Sequence, residues 1–261
     1  MADRLTVEGV LLDLDGTLYQ DDAALPGAVD TVARLRRAGL RLRFVTNTTR
    51  RPRRAVAEAL RRMGFELDDA ELLTPSVAAR LWLEKEGIRR VRLYLPQAGR
   101  EDFAGVDVDS DGGEPEAILV GDLAAGWTFE RLNRAFRDLL AGARLVALQR
   151  NRYWRSGNEL VLDAGPFVAA LEFAAQVDAA VIGKPTGTFF DLACASLDLP
   201  RERVLMVGDD VESDVGGAQA AGLRGVLVRS GKFSEDALRR SGVRPDAVID
   251  GIAALPALVA S

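Results

Sequence analysis

The 261-residue chain contains no histidine and one cysteine, Cys194. These absences exclude a Ser–His–Asp triad, a Cys–His dyad, a His-ligated zinc site and an intramolecular disulfide framework. Lysine is scarce too: Lys85, Lys184 and Lys232 are the only three among 34 basic residues. No stretch approaches the roughly 20 uninterrupted apolar residues that span a bilayer. The richest candidate, 160–182, is broken by Asp163, Glu172 and Asp178. The N-terminus, Met1-Ala2-Asp3-Arg4-Leu5-Thr6-Val7-Glu8, carries charge throughout and lacks an apolar signal core. A cytoplasmic protein with no membrane partner is expected. What the chain does have is 48% hydrophobic and 28% charged residues, the balance of a globular protein with a real core. Its 39 acidic residues outnumber the basic ones and leave a net charge of −5, so no nucleic-acid partner is expected. An enzyme made from this chain must work with carboxylates, lysine and hydroxyls.

Short apolar runs alternate with helical patterns, which predicts βαβ units, an α/β class and a parallel sheet. Strands are expected at 10–14, 42–45, 204–207, 225–228 and 247–249, with helices at 28–38, 52–63, 189–197 and 215–221. The middle of the chain differs in texture. Strands at 91–95, 117–120 and 145–148, with helices near 129–140 and 167–176, read as a second αβ module inserted into the first. The expected division is a discontinuous core domain, 1–76 and 181–261, and an inserted domain, 77–180.

Four segments carry chemistry. Leu12-Asp13-Leu14-Asp15-Gly16-Thr17 follows a buried run, and ligands of open α/β sheets bind beyond the carboxyl ends of strands. Side chains alternate along a strand, so Asp13 and Asp15 share a side if the strand extends that far. Paired carboxylates need a cation or a proton between them, and hard oxygen ligands suit Mg²⁺. Val45-Thr46-Asn47-Thr48 offers a hydroxyl and an amide at a second strand end, although such clusters also make turns. Gly183-Lys184-Pro185 holds a lysine that can pair with a phosphate or with Asp13. Gly208-Asp209-Asp210-Val211-Glu212-Ser213-Asp214 brings more carboxylates; an acidic helix start accounts for Glu212 and Asp214 but explains Asp209 less well.

Taken in order, these segments resemble the four motifs of the haloacid dehalogenase (HAD) superfamily of Mg²⁺-dependent phosphatases. Asp13-Leu14-Asp15-Gly16-Thr17 matches the first, Thr46-Asn47 the second, Gly183-Lys184-Pro185 the third, and Gly208-Asp209-Asp210 with Asp214 the fourth. Nearly the whole chain is similar to subfamily IIA, whose αβ (C2-type) cap lies between the second and third motifs. The resemblance implies a Rossmann-like parallel-sheet core with an inserted αβ cap. It implies hydrolysis of a small phosphorylated substrate, a phosphomonoester or similar compound, through an aspartyl-phosphate on Asp13 with Asp15 as general acid and base. Mg²⁺ would be held by Asp13, the main-chain carbonyl of Asp15, and Asp209. Thr46, Asn47 and Lys184 would bind substrate, and Asp214 would support Lys184 or a metal-bound water. A homodimer through the cap is allowed. The alternatives are a phosphate-accepting signalling module and a catalytically silent binding protein on the same fold.

Three further segments invite other readings. Asp107-Val108-Asp109-Ser110-Asp111-Gly112 begins like a calcium loop, but its twelfth position is Ile118 and Pro115 interrupts it. Arg50-Arg51-Pro52-Arg53-Arg54 reads as a solvated basic face, with a place near an anionic substrate as the second reading. Gln149–Arg155 mixes arginine with aromatics and is expected to shape a substrate pocket or a dimer face.

Overall fold

The computed structural model describes residues 5–108, 113–156 and 159–260. Met1–Arg4 and the Asp109–Gly112 part of the calcium-like stretch lie outside them. The described chain forms two compact units, one of residues up to Thr46 with Arg54–Leu73 and Lys184 onward, the other of Asn47–Arg53 and Thr74–Gly183.

The first unit is built on a six-stranded parallel sheet. Its order is Ala247–Ile249, Arg224–Val228, Val204–Gly208, Gly9–Asp13, Arg41–Val45 and Leu72–Leu73. Every residue of Gly9–Asp13 is buried, the mark of a parallel strand covered on both faces, and the reason it reads as an unbroken apolar run. Alternate side chains divide between two packing clusters. Val10, Leu12, Phe44, Leu205, Val207 and Val226 pack with Val32 and Leu35 of helix Ala28–Arg37 and Leu60 of helix Arg53–Arg62. On the other side Leu227 packs with Val211 and Val215.

The second unit repeats the scheme with a five-stranded parallel sheet in the order Ala180–Val181, Arg144–Ala147, Ala117–Val120, Arg90–Tyr94 and Asp107–Val108. Its helices include Pro75–Glu86, Phe129–Leu140 and Ala164–Ala175, and an antiparallel pair joins Tyr153–Ser156 to Glu159–Leu162. Helix Pro75–Glu86 and the antiparallel pair are additions to the elements expected from the sequence. Helix Ala164–Ala175 starts before the expected 167 because the Asp163 carboxylate accepts from Ala164 N and Pro166 sits in the first turn, where its missing N–H costs nothing. The chain does not enter a regular helix at 215: residues Val211–Gly216 wind as a π-type turn before a short helix, Gly217–Ala220. Among the described residues no helix is long and apolar enough to cross a membrane.

Phe44 is fully buried and pairs in register with Leu12 and Leu72 across two strand interfaces. Phe44→Ala is expected to destabilise the protein by about 3–5 kcal/mol, measured by chemical denaturation; a loss under about 1 kcal/mol would show that this centre is loosely packed.

Candidate active site

The first sheet explains how distant segments meet. Strands Gly9–Asp13 and Val204–Gly208 are hydrogen-bonded neighbours, with Leu12 opposite Val207, so Asp13 and Asp209 leave the same edge side by side. Asp13, Asp209 and Asp214 are buried and offer carboxylate oxygens that all lie within 4.8 Å of one another. Lys184 stands among them, with Nζ 2.5 Å from Asp13 Oδ1 and 2.7 Å from Asp214 Oδ1. Thr17 Oγ1 lies 3.4 Å from the second Asp13 oxygen. Lys184 reaches this edge from the loop after Ala180–Val181, a strand of the other sheet, and not from the end of a strand of its own sheet.

Local turns aim these groups. The strand stops at Asp13, and Leu14 O accepts from the N–H groups of Thr17, Leu18 and Tyr19. The alternation that would place Asp15 beside Asp13 therefore ends one residue too early. Asp13 is buried and Asp15 exposed on the following turn. On the fourth segment, the Asp210 carboxylate accepts from Glu212 N at 3.1 Å and Ser213 N at 2.9 Å, capping the π-type turn. Asp210 N in turn donates to Asp214 Oδ2 at 3.1 Å, so Asp214 is held at both oxygens. Asp210 thus faces its own turn while Asp214 faces the cluster.

Thr46 is buried just beyond strand Arg41–Val45, and its N–H donates to Leu73 O. Asn47 belongs to the second unit, where its side-chain oxygen lies against Gly183. In that unit Arg50 Nε lies 3.4 Å from Asp122, and Gln149 is buried with its amide donating to Asp163. In the first unit Arg54 pairs with Glu58 at 2.6 Å. The basic run is thus partly committed to ion pairs. For the Gln149–Arg155 segment, the side chains of Trp154 and Arg155 lie outside the described residues.

One segment escaped the motif reading. Lys232 N donates to Asp209 Oδ2 at 2.6 Å, and Ser230 Oγ donates to Gly16 O at 2.6 Å. Gly16 and Gly231 both have positive φ, 81° and 58°, and a Cβ on either would collide with the Asp209 carboxylate. The available sequence signal was slight: two of three lysines follow Gly at sheet-edge loops.

Burial and like charge set the electrostatics. Desolvation, then the Asp13 and Asp214 charges, push the Asp209 carboxyl up to about 8. Complete burial lifts Asp214 to about 6, an effect the Lys184 charge only partly offsets. Burial opposes charge on Lys184, but Asp13 and Asp214 outweigh it and hold the ammonium above its ordinary range. Asp15 is raised as well, by partial enclosure first, with Lys232 opposing and Asp21 adding.

Residues 10–109 match the family "Haloacid dehalogenase-like hydrolase" and residues 181–255 match a HAD-hydrolase-like family. The chain is 40% identical over 233 residues to haloacid dehalogenase-like hydrolase domain-containing protein 2 of Bos taurus, covering 89% of this chain and 88% of that one. It is 36% identical over 259 residues to phospholysine phosphohistidine inorganic pyrophosphate phosphatase of Rattus norvegicus, covering 97% and 94%. Glycerol phosphate phosphatase of Mycobacterium tuberculosis, solved in complex with magnesium, is similar in structure, with a TM-score of 0.83 at 28% identity over 97% of this chain and 78% of that one. With a buried lysine–carboxylate cluster at the edge of a parallel sheet and relatives of this closeness over most of its length, the chain belongs to the haloacid dehalogenase-like hydrolases.

Proposed function

We propose that this protein is a Mg²⁺-dependent phosphatase that hydrolyses a small phosphomonoester, or a similar phosphoryl compound, through an aspartyl-phosphate on Asp13. The observation that carries this reading is the burial of Asp13, Asp209 and Asp214 around Lys184. Three carboxylates against one ammonium leave an excess of negative charge where water cannot screen it. The upward push on Asp209 expresses that imbalance. A hard divalent cation removes it, and an all-oxygen donor set suits Mg²⁺. Asp13 and Asp209, with the main-chain carbonyl of Asp15, would be the direct ligands, as the resemblance to the family implies, and Asp214 would hold Lys184. When bound, Mg²⁺ supplies positive charge that offsets repulsion between Asp13 and a phosphate dianion. Magnesium in the solved glycerol phosphate phosphatase and the phosphoryl substrates in the relatives' names support the same reading.

The chain's own residues divide the work. Asp13 attacks phosphorus, forming one P–O bond as the ester P–O bond breaks. Asp15, exposed and with a raised pKa, gives its proton to the leaving oxygen and then takes one from the water that releases phosphate. Lys184 and Thr46 meet the phosphoryl oxygens, where charge concentrates. Asp214 keeps Lys184 charged and aimed.

Phosphate release over a panel of phosphomonoesters, with and without Mg²⁺, tests this reading. Turnover is expected only with the cation, and Asp13→Asn should fall to the blank. A time course that stops at one phosphate per chain would mark a phosphate-accepting module instead. Asp15→Asn should slow esters of poor leaving groups by about 10²–10⁴-fold and aryl esters less, because a general acid contributes on that scale; equal losses on both would remove Asp15 from that role.

A pH prediction follows from the raised acids. Folded Asp209 and Asp214 hold protons that the unfolded chain has released above its ordinary carboxylate pKa of 3.8. With divalent cations chelated, their contribution to stability therefore falls as pH rises from about 4 to about 8. The raised Lys184 pKa contributes a stabilisation that stays constant over this window and is lost only at higher pH. Melting temperatures should decline with pH in chelator, decline less in Asp209→Asn, and recover with Mg²⁺ by about 2.7 kcal/mol of stabilisation at a hundred times its Kd. Parallel wild-type and variant profiles would contradict the charge imbalance.

A further inference from the structure

Two of the chain's three lysines stand at this edge, in opposite settings. Lys184 is enclosed between Asp13 and Asp214. Lys232 has a fixed main chain and a loose side chain. Its N–H is bound to Asp209 at 2.6 Å, Ser230 Oγ ties the same turn to Gly16 O at 2.6 Å, and Gly231 packs against Gly16. The turn is therefore pinned to both the Asp15–Gly16 turn and the Asp209 carboxylate. The Lys232 side chain is nevertheless 64% exposed, and Nζ lies 3.6 Å from Asp210 Oδ2, an ion pair beyond hydrogen-bond distance. Asp210 already caps its own turn. An exposed pair of this kind is weak and readily exchanged for a better anion.

The turn that carries Lys232 also lies against the turn that carries Asp15, through Ser230 Oγ on Gly16 O and the packing of Gly231 on Gly16. In the phosphatase reading Asp15 faces the leaving oxygen. We propose that Lys232 is a substrate-binding residue that pairs with negative charge on the leaving group. The favoured substrates are then phosphomonoesters whose alcohol carries a carboxylate or a further phosphate near the scissile oxygen. The inference rests on the phosphatase reading. A lysine suits the task, being a compact charge on a long flexible stem that can follow leaving groups of different length. The interior cluster serves the phosphoryl group common to all substrates, and the rim lysine distinguishes among them.

The test compares phenyl phosphate with 3-carboxyphenyl phosphate, and inhibition by inorganic phosphate, in wild type, Lys232→Met and Lys232→Arg. Lys232→Met keeps the main-chain N–H on Asp209 and removes the charge. It is expected to raise KM for the carboxylated ester about tenfold, the low end for a charged hydrogen bond at an exposed site. Because the Lys232 charge also acts on Asp15 and Asp209, any change in kcat should be shared by the two esters, whereas KM for phenyl phosphate and the inhibition constant for phosphate should stay within about threefold and Lys232→Arg should recover most of the lost affinity. Equal rises in KM for both esters, or a matching loss of phosphate inhibition, would place Lys232 on the phosphoryl group and overturn the proposal. Wild-type hydrolysis of both esters with an indifferent Lys232→Met would overturn it while leaving the phosphatase reading intact. A wild type that hydrolyses neither ester in Mg²⁺ would instead count against the phosphatase reading.

Discussion

Lys184 carries its ammonium into the interior, 3% exposed, where solvation by water is lost and must be replaced. Asp13 and Asp214 replace it at 2.5 and 2.7 Å. Burying such ions costs several kcal/mol each, and an apolar core of equal volume is often as stable, so the pair is weak evidence for a purely structural role. Two carboxylates and one ammonium already leave one negative charge in excess. Asp209, beside them, adds a second, and its carboxyl is driven far from its ordinary range by burial and by those same neighbours. Perturbed groups of this kind mark functional sites more often than structural ones. The surrounding turns exist to hold this arrangement: the stop of the strand at Asp13, the Asp210 cap that turns Asp214 inward, and the glycines that let two loops close on Asp209.

The edge divides into a dry interior and a wet rim. Asp13, Asp209, Asp214 and Lys184 are shielded, so electrostatic interactions among them are strong and fixed. Asp15 and Lys232 lie outside, one on the turn after the first strand and the other on the turn after strand Arg224–Val228. In the proposed reaction, chemistry that is the same for every phosphate ester would draw on the preorganised charge of the interior, and contacts that differ between esters would fall to the adaptable groups of the rim. The scarcity of lysine in an arginine-rich chain makes the contrast sharper, because the two lysines at this edge have distinct environments that arginine's rigid fork would fill differently.

Much of this was legible in the sequence, for physical reasons. A parallel strand buried on both faces needs an unbroken apolar run, so an acid directly after one stands out, and both Asp13 and Asp209 do. Their adjacency followed from sheet order, which the family resemblance supplied and periodicity alone does not. Less was legible where tertiary contacts decide. The separation of Asp13 from Asp15 depends on where hydrogen bonding to Leu14 O ends the strand. The π-type turn at Val211–Gly216 reads as an ordinary helix start in a sequence, since the side-chain cap that winds it has the same residue types. Arg-Ser-Gly-Lys-Phe carries no motif, and only its contacts with Gly16 and Asp209 reveal Lys232. The pair of short antiparallel strands from Tyr153 was hidden by a mixture of arginine and aromatic residues that lacks clean alternation.

The account stands on Asp13 as the atom donor that takes the phosphoryl group. Quenching the enzyme during turnover, reducing with borohydride and sequencing the peptides by mass spectrometry interrogates that atom directly, because an acyl phosphate is reduced and a free carboxylate is not. The expected result is conversion of residue 13 to homoserine, seen only when both substrate and Mg²⁺ are present and absent at Asp15, Asp209 and Asp214. Sustained phosphate release with Asp13 recovered unmodified at every quench time would contradict the account.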